Sequence, residues 1–253
     1  MRKVLVIGDS CQDIFNYGVC NRLCPEAPVP VFNPTKMIIN GGMSINVFEN
    51  LKSLKIDCDI VTNDHRPIKT RYVDEVSNQM LLRVDEKDVV KRIEEKRLKS
   101  IDFSKYYAIV ISDYNKGFLD EEDIYSITNS HSLTFLDTKK EIKTWAMNTN
   151  FIKINENEYN RNLFYFKNHH TKDLIVTLGK NGAMLNREEI FPITGNHDIK
   201  DLCGAGDTFF AGLVADFINN NDIRSAIVFA NKCASWAVTQ KGVSVMNLIN
   251  EIK

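Results

Sequence analysis

Between Asp201 and Phe209 the chain reads Asp-Leu-Cys-Gly-Ala-Gly-Asp-Thr-Phe, two glycines and a carboxylate packed into the turn that opens an apolar helix over about 205–218. The first N–H groups of a helix have no intrahelical acceptor and sit at the positive end of its dipole, so they can hold an anion, and glycine lets that anion come close. A phosphate nest needs no acid of its own. Asp207 beside it can take a proton from a hydroxyl while the N–H groups of Gly204, Ala205 and Gly206 neutralise charge on a phosphoryl group in transit. That pairing points to a kinase. On residue types alone the same four residues also fit a tight turn with Asp207 as helix cap. A dinucleotide fingerprint fits less well, because it would need glycine at Phe209 and a strand just before the turn.

The elements that must position this turn are legible as alternating patterns. Val4 to Ile7 is a continuous β-branched and leucine run closed by Gly8-Asp9, the signature of a buried parallel strand. Similar runs recur at Tyr107 to Ile111, Leu133 to Leu136, Phe151 to Ile154 and Asp173 to Leu178. Helical patterns lie between them at Ser44 to Leu54, Glu121 to Thr128 and Lys140 to Met147, and two long helices, Ala205 to Ile218 and Asp222 to Val238, finish the chain. The alternation predicts an α/β fold, a doubly wound and mostly parallel sheet flanked by helices, with ligands along the strand C-termini. Pro25 to Phe32, and Ile68 to Val73 with Gln79 to Val84, read instead as extended ribbons of a small β-lid, over about 16–38 and 68–84. Glu86 to Lys99 reads as a solvated surface helix with Val89, Val90, Ile93 and Leu98 as its stripe.

At 253 residues one substantial core suffices, so a single domain spanning 1–253 is expected. With 32 basic and 33 acidic residues the net charge is -1, which removes any whole-chain reason to expect a nucleic acid or membrane partner. The six cysteines form no C-x-x-C pair and no zinc-type spacing with histidine; a reduced, cytoplasmic setting with free thiols fits them. The apolar N-terminal run is too short for a secretory segment.

Taken together, the motifs resemble the ribokinase-like (phosphofructokinase B type) carbohydrate kinases from Gly8 to Val245. Gly8-Asp9-Ser10-Cys11-Gln12-Asp13 is similar to that family's first-strand loop, whose second carboxylate, here Asp13, binds sugar hydroxyls. Gly41-Gly42-Met43-Ser44-Ile45-Asn46 resembles its G-G-x-x-x-N sugar turn. Asn155-Glu156-Asn157-Glu158 resembles the N-x-x-E element that organises magnesium and phosphate, although N-x-x-E is equally a helix capping box. Thr177-Leu178-Gly179-Lys180-Asn181-Gly182 is similar to the nucleotide-side turn, and the stretch from Phe229 through Asn231 to Gly242 to the segments flanking adenine. Within the family, Arg22 to Val31, Ser112-Asp113-Tyr114-Asn115-Lys116-Gly117 and Asp137-Thr138-Lys139 resemble the kinases of D-glycero-D-manno-heptose 7-phosphate, which phosphorylate O1 on the way to nucleotide-activated heptose for surface glycans. In many of those proteins a nucleotidyltransferase domain follows.

The resemblance implies ATP as donor, Mg²⁺ held largely through water by Asn155 and Glu158, a monovalent cation such as K⁺ near Asp201, a small-molecule sugar or sugar phosphate as partner, and a homodimer through the lid. Thr177, Gly179, Gly182, Asn155 and Asn231 would line the nucleotide site; Asp13, Gly41, Gly42 and Asn46 the sugar site. Asp207, treated as an ordinary aspartate with a pKa of about 3.9, would serve by position more than by basicity. The second dianion of a sugar phosphate needs cations away from the nest. Lys69 and Arg71 share one face of the lid ribbon, and Lys116 and Lys139 follow strand ends, so these four are candidates. Two intervals, Leu54 to Arg71 and Glu158 to Leu174, are shorter than the family pattern. They keep two rivals open, a non-catalytic sugar-phosphate or nucleotide binder and a kinase of an unphosphorylated sugar or nucleoside.

Overall fold

The computed structural model describes residues 2–169, 172–195 and 198–246. It begins with β1 (Val4–Gly8), β2 (Ser10–Val19), β3 (Asn33–Met43) and α1 (Ser44–Ser53), followed by β4 (Cys58–Thr62), β5 (Ile68–Asp74) and β6 (Met80–Glu86). Next come α2 (Glu95–Lys99), β7 (Ala108–Asp113), α3 (Glu121–Ser130), β8 (Thr134–Thr138) and β9 (Phe151–Asn155). The remainder is α4 (Glu156–Arg161), α5 (Leu163–Asn168), β10 (Asp173–Thr177), β11 (Ala183–Leu185), β12 (Glu189–Phe191), α6 (Ala205–Asn220) and α7 (Ile223–Ala237).

Eight strands form the main sheet in the order β12-β11-β10-β9-β8-β7-β1-β4, parallel except for β11 and β12. Alternate residues of each parallel strand enter opposite layers, because side chains on a strand alternate faces. Val4, Val6, Val110 and Phe135 pack under α1, α6 and α7, whereas Leu5, Ile7, Ile109, Ile111 and Leu136 pack under α3 and the loops around it. Burial on both faces explains why these runs are continuously apolar rather than alternating. Only β4 lies between α1 and Ile68, so the shortened interval leaves β4 as the sheet's edge.

The remaining four strands form a second sheet, β3-β2-β5-β6, over the C-terminal edge of the first. It draws on more of the chain than the ribbon pattern suggested, since β2 and β3 take in residues 10–19 and 33–43. The expected ribbon at Pro25 to Phe32 is instead a run of bends with one bridge, Leu23 to Pro30. Three prolines there withhold the N–H donors that a ladder requires.

Two expected helices are also corrected. Over Lys140 to Met147 there is only a single 3₁₀ turn, Thr144–Ala146: the Lys140 ammonium turns back to Asp113 at 2.7 Å and the Ile142 N–H donates to Asn162 at 2.8 Å. From Glu86 to Lys99 only α2 is helical. Residues 88–94 form no helix, with the N–H of Val90 on the Lys116 carbonyl at 2.9 Å and that of Ile93 on the Phe118 carbonyl at 2.8 Å, and Val90 and Ile93 are buried core residues. A non-local backbone partner has displaced the local helical one. All six cysteines are free, and among the described residues no helix is long and apolar enough to cross a membrane.

Candidate active site

The strand ends deliver their loops to one place. Asp9, just after β1, is buried and accepts the N–H groups of Tyr114 at 2.7 Å, Lys116 at 3.2 Å and Phe118 at 3.1 Å, organising the loop that follows β7. Burial, followed by the nearby charge of Asp113, raises its pKa. Across the sheet, Gly204 precedes α6 in the left-handed region at φ 77°, which glycine adopts without strain. A Cβ there would come within 2.8 Å of Asn46 Nδ2, so Gly204 is also the residue that lets α1 and α6 meet.

Asp207 lies in the first turn of α6 and is 4% exposed. Its Oδ1 accepts the Tyr114 hydroxyl at 2.5 Å and its Oδ2 the Asn46 amide at 3.1 Å. It is not the ordinary aspartate of the sequence reading: burial pushes its pKa up to about 6, against the two hydrogen bonds, which pull it down. A carboxyl in this range is a better proton acceptor than a solvated one while remaining ionised at neutral pH.

Sequence reasoning gave no role to two residues beneath the nest. Lys153 sits mid-strand in β9, 3% exposed, and its ammonium donates to Asp137 of β8 at 2.6 Å. A Cβ on Gly206 would lie 3.3 Å from that ammonium, so the missing side chain leaves the nest open to Lys153. Burial alone would raise the pKa of Asp137, but Lys139 and Lys153 outweigh it and hold the pKa below the usual range. The signal was present in Phe-Ile-Lys-Ile-Asn: a lone charge within a buried strand requires a partner.

On one side of Asp207 opens a cavity of about 760 Å³, lined by Tyr114, Lys139, Lys153, Ala205 and Gly206 and by the expected nucleotide residues Asn155, Thr177, Gly179, Gly182 and Asn231. Asn155 and Glu158 form a reciprocal capping box, with Glu158 Oε2 accepting the Asn155 N–H and Asn155 Oδ1 accepting the Glu158 N–H. Glu158 Oε1 additionally meets the Lys139 ammonium at 2.7 Å. Lys139, a candidate for the sugar side, thus lines this cavity together with Asn155. The buried Glu158 carboxylate is already bonded on both oxygens, which suits contact with a metal through water rather than direct ligation. Asp201 bonds the N–H of Cys203 at 2.9 Å and of Gly242 at 3.1 Å, closing the loop before the nest onto residue 242. Among the described residues no cluster of three or more acidic, histidine or cysteine side chains is arranged around a metal position.

On the other side lies the four-stranded sheet. Asp13 of β2 is buried and ion-paired with Arg71 of β5, which also stacks over Phe15 at 4.9 Å. Gly41 and Gly42 end β3 against Gln12 and Cys11, and a Cβ on Gly42 would collide with Asp13 Oδ2 at 2.1 Å. Lys69, also buried, lies 3.0 Å from Asp88, and Lys116 shares the same carboxylate. Two lysines from separate elements thus converge on a single acid carried by the 88–94 loop.

A buried carboxylate beside a glycine-rich helix start, with paired lysines at the junction of two compartments, is an arrangement suited to a phosphotransferase with an alcohol acceptor on an α/β scaffold. The chain belongs to the pfkB family of carbohydrate kinases, whose family model matches residues 43–250. The bifunctional protein HldE of Helicobacter pylori (strain J99) is 29% identical over 301 aligned positions, which cover 98% of this chain and 65% of that protein. HldE of Nitratiruptor sp. is 28% identical over 295 positions, 97% and 63%. The chain thus spans just under two thirds of the length of these curated relatives, and 301 aligned positions against 253 residues leave them longer within the matched region. Among solved structures, ribokinase from Thermotoga maritima superposes with a TM-score of 0.73 at 17% identity, covering 96% of this chain and 95% of that one. Phosphofructokinase-2 from Escherichia coli, in complex with potassium, superposes with a TM-score of 0.75 at 13% identity, covering 97% and 95%. These two likenesses establish the ribokinase-like fold.

Proposed function

We propose that this chain transfers the γ-phosphoryl group of ATP to O1 of D-glycero-D-manno-heptose 7-phosphate, in the synthesis of nucleotide-activated heptose for surface glycans. The observation that carries the reading is the placement of Asp207 beside the Gly204–Gly206 nest, between the cavity of the nucleotide-side residues and the Asp13 carboxylate and Lys69 of the second sheet, with Lys116 reaching in from the loop after β7. The similarity to HldE proteins supports heptose as the sugar. The convergence of Lys69 and Lys116 supports a phosphate on the acceptor, because a dianion there would take over the role Asp88 now fills.

In this scheme Asp13, with Arg71 behind it, accepts sugar hydroxyls, and Gly42 provides the room. Asp207 receives the proton of O1, while the N–H groups of the nest and the Lys153 ammonium stabilise charge on the transferring group. Mg²⁺ would neutralise the donor's β- and γ-phosphates, held through water by Asn155 and Glu158. A monovalent cation such as K⁺ would sit near Asp201, whose carboxylate also accepts the Gly242 N–H and so ties that residue to the nest loop.

The test is an ADP-release screen of the purified chain with ATP over heptose 7-phosphate, hexose phosphates, ribose, fructose and adenosine. The heptose phosphate is expected to give the highest kcat/KM. Lys116→Met should raise KM for the phosphorylated sugar about 10-fold or more, as for a lost charge-assisted contact, and leave any turnover of unphosphorylated sugars unchanged. Preference for an unphosphorylated acceptor, or ligand-induced stabilisation without ADP release, would replace this reading with one of its rivals.

The outer face of the four-stranded sheet exposes Met37, Ile39, Leu82 and Val84, an apolar set beyond what isolated surface residues require. We read it as the contact between two copies of the chain. Light scattering is expected to give the mass of a dimer, and Leu82→Lys that of a monomer; a monomeric parent protein would remove the assignment.

A further inference from the structure

Tyr114 is held too deliberately to be a bystander. Three N–H bonds to the buried Asp9 fix its loop, and Asn115, at φ 55°, turns the chain so that Lys116 leaves toward Asp88 while the phenol is aimed at α6. The Lys139 ammonium lies 5.3 Å above the Tyr114 ring, and the hydroxyl donates at 2.5 Å to Asp207. Tyr114 lines the nucleotide-side cavity, which Asp207 does not. With Asn46 on the second oxygen, each carboxylate oxygen of Asp207 has one protein donor and one lone pair remaining.

We propose that Tyr114 is a positioning residue for phosphoryl transfer: its hydroxyl locks the Asp207 carboxylate in the orientation that receives the acceptor's proton. This inference rests on the kinase reading of the same site. During transfer the acceptor O–H bond breaks and its proton passes to Asp207, the acceptor oxygen forms its bond to phosphorus, and the bond to the bridging oxygen breaks, that oxygen leaving with the electron pair as part of ADP. Tyr114 keeps its own proton throughout. Burial first, and the charge of Asp207 second, raise its pKa well above that of a free phenol.

The groups facing Asp207 make the effect separable. Tyr114 and Asn46 pull its pKa down against burial, Tyr114 more strongly; Asp137 of β8 raises it and Lys153 of β9 lowers it. Lys139, which Asp207 in turn helps keep protonated, stands beyond the Tyr114 ring, and the Cys11 thiol of β2 is held neutral by burial. Losing the Tyr114 hydroxyl therefore leaves a carboxylate that is both less well aimed and more easily protonated.

The experiment is Tyr114→Phe in the full chain, with ADP release measured from pH 5 to 9. We expect kcat to fall about 10-fold or more, KM for the sugar to stay within about 2-fold, and the acid limb of kcat/KM to move about one unit to higher pH. A purely structural role would lower activity without moving that limb. Titration of the Asp207 carboxyl by ¹³C NMR, assigned with Asp207→Asn, needs no substrate and is expected to shift upward in the same variant. An unmoved limb or an unmoved carboxyl titration overturns the proposal. If the parent chain releases no ADP with any sugar, the kinase reading fails and the carboxyl titration alone decides for or against Tyr114. If the phenylalanine variant does not fold, 3-fluorotyrosine at position 114, a stronger donor, must move the titration the opposite way, to lower pH, or the proposal falls.

Discussion

Asp207→Asn is expected to lower turnover by about 10²–10⁴-fold, the range of a lost general base, with ATP binding and folding retained. The amide keeps the shape and one acceptor for Tyr114 but cannot take the acceptor's proton. In the parent chain the same carboxyl sets the pH profile: with its pKa near 6, kcat/KM is expected to be level above about pH 7 and to fall as pH drops through 6. Stability runs the other way. The folded-state pKa lies above that of a solvated aspartate, so this group favours the fold most below the unfolded pKa and loses that contribution as pH rises through about 6. The ionised form that works is thus the form that strains the fold. Melting curves of Asp207→Asn at pH 8 should therefore lie close to the parent's, since removing the buried charge offsets the mismatch of two amides at Asn46. Near-normal turnover in this folded variant would place the base elsewhere.

Lys153→Met is expected to be damaging on two counts that a second substitution separates. It leaves Asp137 buried with only Lys139, at 3.5 Å, and breaking a buried pair in this way costs about 3–5 kcal/mol, discounted toward the lower end by the remaining lysine. For a chain of this size that corresponds to a fall in Tm of roughly 6–12 °C. It also removes the cation beneath the nest, for which a loss of about 10²–10³-fold in kcat is expected. In Lys153→Met combined with Asp137→Asn the stranded charge is gone, so most of the stability should return while kcat stays low. Recovery of kcat together with Tm would reduce Lys153 to a counter-ion of Asp137.

The parts of the site that were legible share one property: their meaning is local. Gly204-Ala205-Gly206-Asp207 is a helix start whose geometry follows from four adjacent residues, and Asn155 to Glu158 forms the capping box that its spacing equally allowed. The partners that tune the Asp207 carboxyl were not legible in the same way. Asn46 and Tyr114 are 161 and 93 residues from Asp207 along the chain, and nothing in G-G-M-S-I-N or S-D-Y-N-K-G states which carboxylate they meet. Lys139 shows the same limit, since D-T-K placed it at a strand end but not on the side where Glu158 holds it.

The amino-acid order by itself determined the succession of buried parallel strands, the glycine-rich start of α6 and the acid in its first turn, because continuous apolar runs and glycine-rich helix starts leave few other conformations. Only the tertiary structure decided that residues 88–94 would bond to the chain near Lys116 and Phe118 rather than form a helix, that Lys153 and Asp137 would neutralise each other beneath the nest, and that burial would push the pKa of Asp207 up to about 6. Each of these outcomes depends on which desolvated groups lie within a few ångströms of one another. Local propensity, summed over a handful of neighbours, carries no record of that.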